Sequence, residues 1–367
     1  MDFNSLAGQE TVKRILIRTV DRDCVPNSFL FYGPEGVGKW GAALALAAYL
    51  NCRNRIDGDS CGTCPPCRQI RKLQYPNLFT AIPTPPSRSD TEEIENYWEI
   101  LNRKIAEPYA LITGRRQMTI PVATVRQIRL SLGQKPPVDG LRVVIIEQMD
   151  RMLSGSADAL LKLVEEPPSR TLIIITTSRP ERIPATIVSR CRRVRFARLA
   201  GSAIKDYLVE KAGQDEKQAS LLARLCHGSL GTALYLTEED NAQDREVAKL
   251  LFKGIFLAET TEAAAEAMEL LPTGDRFRLN RILAAWQTLF RDIMLLQSGA
   301  RESYLANIDF VGELERLAAR PVNQKALMKI PALIGSVMED IDLNVEPNTA
   351  VAALIIEISR RITPESL

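Results

Sequence analysis

The sequence predicts an α/β domain with a parallel sheet, followed by a region that is helical throughout. Three observations support this. A glycine-rich turn lies between a short apolar run and an alanine-rich helix pattern at residues 27–50. Two later apolar runs, Arg142–Ile146 and Leu172–Ile175, have the length and composition of buried strands. Beyond Phe196 only helical spacing remains, so the sheet is expected to end there.

The glycine-rich turn has the pattern of a phosphate-binding loop. It joins the predicted strand Ser28–Tyr32 to the predicted helix Trp40–Leu50, and it reads Gly33, Pro34, Glu35, Gly36, Val37, Gly38, Lys39. Such glycines let backbone amides close around an anion, the helix start adds partial positive charge, and Lys39 can reach terminal phosphates. We therefore expect the loop to bind phosphate, unless it is a glycine-rich turn that binds nothing.

The position after the lysine departs from the usual pattern. It is normally Ser or Thr, whose hydroxyl holds Mg²⁺, but here it is Trp40, which has no oxygen to offer. We therefore expect ADP or ATP to bind, if at all, without Mg²⁺ and without metal-assisted hydrolysis.

Composition and charge limit the classes of function. The chain has 367 residues, enough for two or three domains, and its net charge of +2 creates no overall field that would collect nucleic acid. The first residues do not form a secretory signal, and no apolar run approaches the roughly 20 residues of a membrane helix. These features predict a cytoplasmic protein that does not contact a membrane.

Four of the seven cysteines lie close together in the sequence, with the spacing C-x8-C-x2-C-x2-C: Cys52, Cys61, Cys64 and Cys67. In a reducing compartment, four thiolates at this spacing predict one closed, tetrahedral, structural zinc site rather than disulfides. The alternative is four unrelated thiols. The isolated Cys24, Cys191 and Cys226 are interpreted as small buried core residues.

The segments that flank the later strands are less uniform. A helix is predicted up to Val20, ahead of the first strand, and another over Pro121–Leu132. Between them, residues 76–121 predict a loop, a short helix and an exposed connection. The strand Arg142–Ile146 ends at Glu147 and Gln148, where a P-loop enzyme keeps a metal-binding Asp and a catalytic Glu. A neutral amide cannot take a proton from water, so this is a second departure from a working ATPase.

The segment from residue 157 to 196 resembles the clamp-loader branch of the AAA+ ATPases. The resemblance rests on Leu-Val-Glu-Glu-Pro-Pro ending at Pro168, on a buried strand closed by Thr176 and Thr177, and on Ser189-Arg190-Cys191. Within that branch, the four cysteines and the altered loop are similar to the delta-prime family of the bacterial DNA polymerase III clamp loader. The resemblance extends over roughly the first 240 residues and covers the remainder in outline.

This resemblance implies roles for particular residues. Thr177, with Thr176, corresponds to the sensor that follows the central strand, and Arg190 corresponds to an arginine finger that enters a neighbouring subunit's ATP site. Gly231 stands where hydrolysing relatives carry an arginine that touches the nucleotide. Taken alone, Arg190 is equally well interpreted as a solvated arginine among its basic neighbours.

The resemblance also predicts three domains. These are an AAA+ nucleotide-binding-type domain over residues 1–198 with the zinc module at 52–67, a helical lid over 199–241, and a helical collar domain over 242–367. Within the last of these, an apolar stripe predicts core packing; it contains Leu279, Ile282, Leu283, Trp286, Phe290 and Ile293.

The function implied by the resemblance is that of a non-hydrolysing structural subunit of a hetero-oligomeric clamp loader within the DNA polymerase III holoenzyme. The expected partners are the ATPase subunits and a delta-type subunit, with the sliding clamp and primer-template DNA contacted through the complex. Two alternatives remain. One is an active AAA+ clamp-loading or remodelling ATPase, and the other is a zinc-dependent nucleic-acid-binding protein that uses the basic run at residues 190–198.

Overall fold

The computed structural model describes residues 2–113, 118–152, 154–257, 260–320, 324–342 and 345–362. Contacts divide the chain into two compact units, which are considered separately: Met1–Gly213 with His227–Leu234, and Gln214–Cys226 with Tyr235–Leu367. The predicted division into three domains is not tested by this grouping and stays a prediction.

The first unit is built on a parallel sheet. In the described residues its strands are β1 Ser28–Tyr32, β2 Leu78–Ala81, β3 Arg142–Ile146, β4 Thr171–Thr177 and β5 Arg192–Arg195. They lie in the order β2-β3-β4-β1-β5, and every pairing is parallel. Strands β3 and β4 are buried along their whole length, as expected when helices cover both faces of a parallel sheet. The predicted α/β P-loop fold class is thereby confirmed.

Ten α-helices lie in the described residues up to residue 235. They are α1 Glu10–Asp21, α2 Lys39–Asn51, α3 Pro65–Arg71, α4 Asp90–Ala106, α5 Val122–Gly133, α6 Ser154–Glu165, α7 Ala185–Val188, α8 Gly201–Glu210, α9 Glu216–Leu225 and α10 Leu230–Tyr235. Helix α9 falls in the second unit. Helix α2 is apolar on all sides and almost entirely buried, packed against α1, α3 and β4. Its buried position fixes the end of the phosphate loop that leads into it.

The segment between residues 76 and 121 contains more regular structure than predicted. It contributes the strand β2 and the 17-residue helix α4, where a loop and a short helix were expected. Strand β2 has only four residues, and its register is set by pairing Leu78 with Val143 and Ala81 with Ile146. An edge strand this short has little periodicity of its own, so only its pairing with β3 identifies it.

The second unit is helical in its described residues. After α9 it contains α11 Glu239–Phe256, α12 Thr261–Glu269, α13 Arg276–Gln297, α14 Val311–Ala318, α15 Gln324–Leu327, α16 Ile330–Asp342 and α17 Pro347–Ile362. The predicted stripe on α13 is confirmed as core, because all six of its residues are buried. At its centre the Trp286 ring packs edge-on against Phe252 and Phe256, and its indole nitrogen donates to the Ala248 carbonyl at 2.9 Å. None of the described helices combines the length and apolarity needed to cross a lipid bilayer.

A charged cluster in this unit predicts a pH-dependent contribution to stability. The Asp309 carboxylate accepts two hydrogen bonds of 2.7 Å from Arg245 and one of 3.1 Å from Lys249. Burial alone would raise the pKa of Asp309, but the two cations outweigh it and lower the pKa to about 2. A carboxyl with a lowered pKa stabilises the fold above its unfolded pKa near 4 and loses that contribution as the pH falls towards 2.

We expect Asp309→Asn to lower the free energy of unfolding by about 1 to 2 kcal/mol at pH 7, because it removes the charge that both cations contact. The difference from the unsubstituted chain should shrink between pH 4 and pH 2. Urea unfolding followed by hydrogen exchange of peptides from α11 would measure it. Glu313→Gln is a matched control, because Glu313 lies 4.0 Å from the exposed Lys253 and is expected to contribute little. A difference that stays constant down to pH 2 would contradict this assignment.

Candidate functional site

The predicted phosphate loop forms between β1 and α2. Gly36 has φ of +70°, a conformation that L side chains rarely adopt. A Cβ added there would collide with the Ser229 hydroxyl oxygen. The Ser229 hydroxyl donates to the Glu35 carbonyl at 2.8 Å, and the Gly231 amide donates to the Gly36 carbonyl at 2.9 Å. The segment before and within α10 is therefore hydrogen-bonded directly to the loop, once through the Ser229 side chain and once from backbone to backbone.

Lys39 is directed onto its own loop. Its side chain is buried, and its ammonium group donates to the carbonyls of Gly33 at 2.8 Å and Pro34 at 2.5 Å. Burial lowers the pKa of Lys39, while the nearby Glu147 and Glu35 oppose that shift. The ammonium group predicted to bind a terminal phosphate thus donates two hydrogen bonds to main-chain carbonyls of its own loop.

Glu147, at the end of β3, is paired with a lysine that the sequence did not indicate. Lys104 of α4 lies 3.0 Å from one carboxylate oxygen of Glu147, and both side chains are almost fully buried. The Thr176 hydroxyl donates to the other oxygen at 2.7 Å. Removing one partner of such a pair leaves an uncompensated buried charge and costs about 3–5 kcal/mol. The carboxylate expected at a metal position is neutralised by an ammonium group of the same chain.

Trp40 and Gln148 occupy the two positions where a hydrolysing P-loop enzyme has a metal-binding hydroxyl and a catalytic carboxylate. The Trp40 indole is 2% exposed, and its nitrogen makes no hydrogen bond to any described residue. The Lys104 ammonium lies 5.4 Å from the centre of its ring. The Gln148 side-chain amide donates to the Glu35 carboxylate. Trp40 has no oxygen to offer, and the side-chain oxygen of Gln148 is buried without a hydrogen-bond partner among the described residues.

Thr177 lies beside the loop but directs its hydroxyl elsewhere. Its carbonyl accepts from the Gly33 amide at 3.2 Å, which ties β4 to the start of the phosphate loop. Its hydroxyl donates to Asp150 at 2.7 Å. The neighbouring Thr176 is the one that contacts Glu147. The structure therefore brings Thr176, rather than Thr177, to the acidic end of β3.

Gly231, predicted to stand at the position of a nucleotide-contacting arginine, has no room for a side chain. A Cβ there would lie 2.5 Å from the Tyr109 carbonyl oxygen and 2.8 Å from the Gly36 α-carbon. Real Cβ atoms do not approach backbone so closely, so an arginine would require the loop to move. The close packing of this segment against the phosphate loop is therefore compatible with glycine at position 231 and not with arginine.

The space that remains beside the loop is about 20 Å³, enough for little more than one water molecule. Its lining residues come from the phosphate loop, from positions just after β3 and β4, and from Lys104 with Pro108, Tyr109, Ala110 and Leu111. Sequence reasoning missed this last group. Nothing in the local pattern of α4 marks Lys104 as buried, since a lysine that follows Asn102 and Arg103 near the end of a helix is normally exposed to solvent.

The four cysteines predicted to bind metal are brought together. Their sulfur atoms all lie within 4.8 Å of one another; tetrahedral Zn²⁺ with bonds near 2.3 Å requires sulfur separations of about 3.8 Å. The Thr63 hydroxyl and the Cys64 amide donate to Cys61 and lower its pKa to about 6, whereas burial raises the pKa of Cys67. Four soft ligands in this arrangement fit one structural zinc ion. The isolated Cys191 and Cys226 are buried as predicted, but Cys24 is exposed, which corrects its assignment to the core.

The cysteine loop also holds the N-terminal segment. The Asp59 carboxylate lies within the loop, is buried, and accepts from the backbone amides of Phe3 at 3.1 Å and Asn4 at 2.8 Å. It also accepts from the Ser60 amide at 2.7 Å. A metal ion that orders residues 52–67 would therefore order residues 3–4 as well.

Arg190 lies at the opposite end of the sheet from the phosphate loop. It precedes β5, and the parallel register of β5 with β1 pairs Arg192 with Phe29, whereas Gly33 follows the last residue of β1. The five residues of β1 span roughly 16 Å. The Arg190 side chain is 43% exposed, and its guanidinium lies 3.0 Å from Glu165 and donates to the Thr186 carbonyl at 2.9 Å. It is therefore not part of its own chain's phosphate site.

The basic residues that follow Arg190 lie on the edge strand β5. Arg192, Arg193 and Arg195 are exposed, while Val194 between them is buried. The Arg193 guanidinium lies 4.9 Å from the centre of the Tyr32 ring. This strand therefore presents cations along an exposed edge of the sheet.

A family model described as DNA polymerase III, delta subunit matches residues 8–200. DNA polymerase III subunit tau of Bacillus subtilis (strain 168) is 27% identical over 253 residues, which cover 68% of this chain and 39% of the tau protein. The chain thus spans about two-fifths of that relative's length. Subunit delta' of the same organism is 23% identical over 334 residues, 89% of each chain. Subunit delta' of Escherichia coli (strain K12) is 26% identical over 320 residues, 85% of this chain and 80% of the relative.

The two delta' relatives match most of their own length, whereas the tau relative matches only a part of its length. Because the family model covers more than half of the sequence, the chain belongs to the DNA polymerase III delta subunit family, as its resemblance to the delta-prime subunits predicted.

Proposed function

We propose that this chain is a non-hydrolysing, structural subunit of a clamp-loader complex in the DNA polymerase III holoenzyme. In this proposal it acts in the cytoplasm, binds ATPase subunits and a delta-type subunit, and meets the sliding clamp and primer-template DNA through the complex. It supplies Arg190 to the ATP site of a neighbouring subunit, and one zinc ion holds its cysteine loop. Its contribution is therefore positional, while ATP hydrolysis is carried out by its partners.

The observation that best supports this proposal is the buried Lys104–Glu147 ion pair, with its 3.0 Å separation. Magnesium requires oxygen ligands at about 2.1 Å with near-octahedral geometry. An ammonium group already contacts the Glu147 carboxylate at the end of β3, and Trp40 supplies no replacement ligand. A self-sufficient ATPase would have to break this pair before it could bind a metal ion, so the geometry favours the non-hydrolysing subunit over that alternative.

The isolated chain is expected to release no phosphate from ATP above the background rate. The reason is that Trp40, Gln148 and Gly231 replace a metal ligand, a water-orienting base and a nucleotide sensor. Phosphate release should be measured in excess MgCl₂ for the unsubstituted protein and for Lys39→Ala prepared in parallel. Equal rates are expected; release that depends on protein concentration and disappears in Lys39→Ala would show an active ATPase.

A further inference from the structure

We propose that the segment from Lys104 to Leu111 is an intramolecular occupant of the phosphate loop, which makes the loop a latent site for nucleoside diphosphates and triphosphates. This rests on the proposed function, since it describes how the same site is kept inactive. It goes further in one respect. The loop itself remains competent for phosphate, and the segment that covers it is what excludes the ligand.

The charged side chains of the site already contact groups of their own chain. A bound nucleotide supplies negative phosphates to the loop lysine, and its metal ion supplies positive charge to the acidic strand end. Here Lys104 meets Glu147 at 3.0 Å, and Lys39 bonds to loop carbonyls beside Glu35. Lys39 also lies near the Glu147 and Asp150 carboxylates. Each lysine of the site therefore already has acidic neighbours from its own chain without either ligand.

The Tyr109 ring also blocks the loop sterically. A Cβ built on Gly38, the residue that precedes α2, would lie 2.9 Å from the Tyr109 ring. The ring thus stands against the helix N-terminus, where the backbone amides of a P-loop hold phosphate. Together with Pro108 and Leu111 it reduces the open space to about 20 Å³. A phosphate group cannot enter while Tyr109 keeps this position.

The segment that covers the loop is anchored to the rest of the first unit. Such anchoring is needed, because an occupant excludes a ligand only if it is held in place. The Tyr109 hydroxyl accepts from the Ala7 amide at 2.7 Å, and its ring packs edge-on against Tyr207 at 5.4 Å. The Tyr207 hydroxyl donates to the Glu107 carboxylate at 3.1 Å, and that carboxylate also accepts from the Tyr109 amide at 3.0 Å. The segment is therefore fastened to the N-terminal region and to α8, both within the first unit.

A simpler interpretation is that the segment covers a loop that has already lost its ability to bind phosphate. The two interpretations predict different results when the cover is removed. A loop that retains Lys39 and glycines with positive φ at Gly33, Gly36 and Gly38 should recover binding. A loop that is incapable of binding should not.

The test uses equilibrium dialysis of the full chain against radiolabelled ADP. Saturable binding in the unsubstituted protein is expected to be absent at millimolar ADP. Tyr109→Ala should bind ADP at least about tenfold more tightly, because it opens the helix N-terminus. Adding Lys104→Met should increase the affinity further in MgCl₂ but not in EDTA, because it frees the Glu147 carboxylate for a metal ion.

Two controls separate this effect from general loosening. Tyr97→Ala truncates a tyrosine of α4 whose hydroxyl bonds to Thr80 and which does not line the cavity, so it should leave binding absent. Lys39→Ala, added to Tyr109→Ala, should abolish the gain. Submillimolar binding by the unsubstituted chain, or a folded Tyr109→Ala protein without any gain, would overturn the proposal.

A measurement on the unsubstituted chain keeps the proposal testable if these variants do not fold. Amide hydrogen exchange is expected to be slow in residues 104–111 and 33–40 and unchanged by ADP, because a held segment opens rarely. Rapid exchange in residues 104–111, or new protection of the loop on addition of ADP, would contradict it. These outcomes concern the isolated chain. They are therefore distinguishable from failure of the structural-subunit proposal. That proposal would fail if this chain alone turned over ATP, or if Arg190→Ala left the ATPase of the assembled complex unchanged.

Discussion

Replacing Arg190 with alanine is expected to lower the DNA- and clamp-stimulated ATPase of the reconstituted complex while leaving this chain folded and assembled. A guanidinium is permanently charged, planar and forked, so it can contact phosphate oxygens and stabilise charge that grows during phosphoryl transfer. Arginine fingers contribute about 10³-fold or more at a single site. Because other ATP sites in the complex would stay active, the overall loss should be partial.

The position of Arg190 supports action on a neighbour rather than on its own chain. The phosphate loop follows β1, whereas Arg190 precedes β5 at the other end of the sheet. Its ion pair with Glu165 joins two partly exposed side chains, and such pairs contribute about 0–1 kcal/mol. Breaking this pair on assembly would therefore cost little, and the alanine variant should remain stable.

The experiment compares Arg190→Ala and Arg190→Lys with two controls in the assembled complex. Lysine keeps the charge but not the fork, so it should be impaired less than alanine. Glu165→Ala frees Arg190 without removing it and should retain full ATPase. Arg192→Ala removes an exposed arginine from β5 and should also be normal. An assembled Arg190→Ala complex with unchanged ATPase and clamp loading would return Arg190 to the class of solvated surface arginines.

Replacing Cys64 with serine is expected to release one equivalent of zinc and to unfold the cysteine loop. Zinc bound by such small sites contributes an apparent free energy of about 10–16 kcal/mol in zinc-finger peptides at pH 7, and that free energy is coupled to folding. Three of the four cysteines are only partly buried, so burial of their side chains contributes little to holding the cluster together. We therefore expect the loop to lose its order as a unit.

The effect should reach the N-terminal segment through Asp59. This carboxylate is placed by the loop and accepts from the amides of Phe3 and Asn4. Hydrogen exchange in Cys64→Ser should therefore accelerate in residues 52–71 and at these two amides, with faster proteolysis near Asp57, while the second unit stays protected.

The matched control for this experiment is Cys24→Ser, because Cys24 is exposed and lies outside the cluster. It should keep one zinc per chain. Metal analysis that finds no zinc in freshly prepared, never-chelated protein would exclude the site. Retention of loop protection after zinc loss would show that the four cysteines are held by packing alone.

Local patterns in the sequence determined the elements on which the fold is built. The strands β1 and β3 begin and end as predicted. Each is a short apolar run bounded by turn residues, and all the residues that define such a run are neighbours in the sequence. The phosphate loop and the cysteine spacing were equally visible, since each motif needs no distant partner to be identified. The stripe on α13 predicted its burial because helical periodicity places its residues on one face.

The tertiary structure alone decided which side chains from distant parts of the chain lie beside the phosphate loop. Lys104 and Glu147 are 43 residues apart, and Ser229 and Glu35 are 194 apart. Whether a lysine is solvated or buried against a carboxylate depends on how the chain returns to the sheet, and its own neighbours in sequence carry no signal of this. The same holds for β2, which is too short to be periodic and becomes a strand only by pairing with β3. Motifs made of residues that are neighbours in the sequence can be recognised from the sequence, whereas contacts between distant segments exist only after folding has brought those segments together.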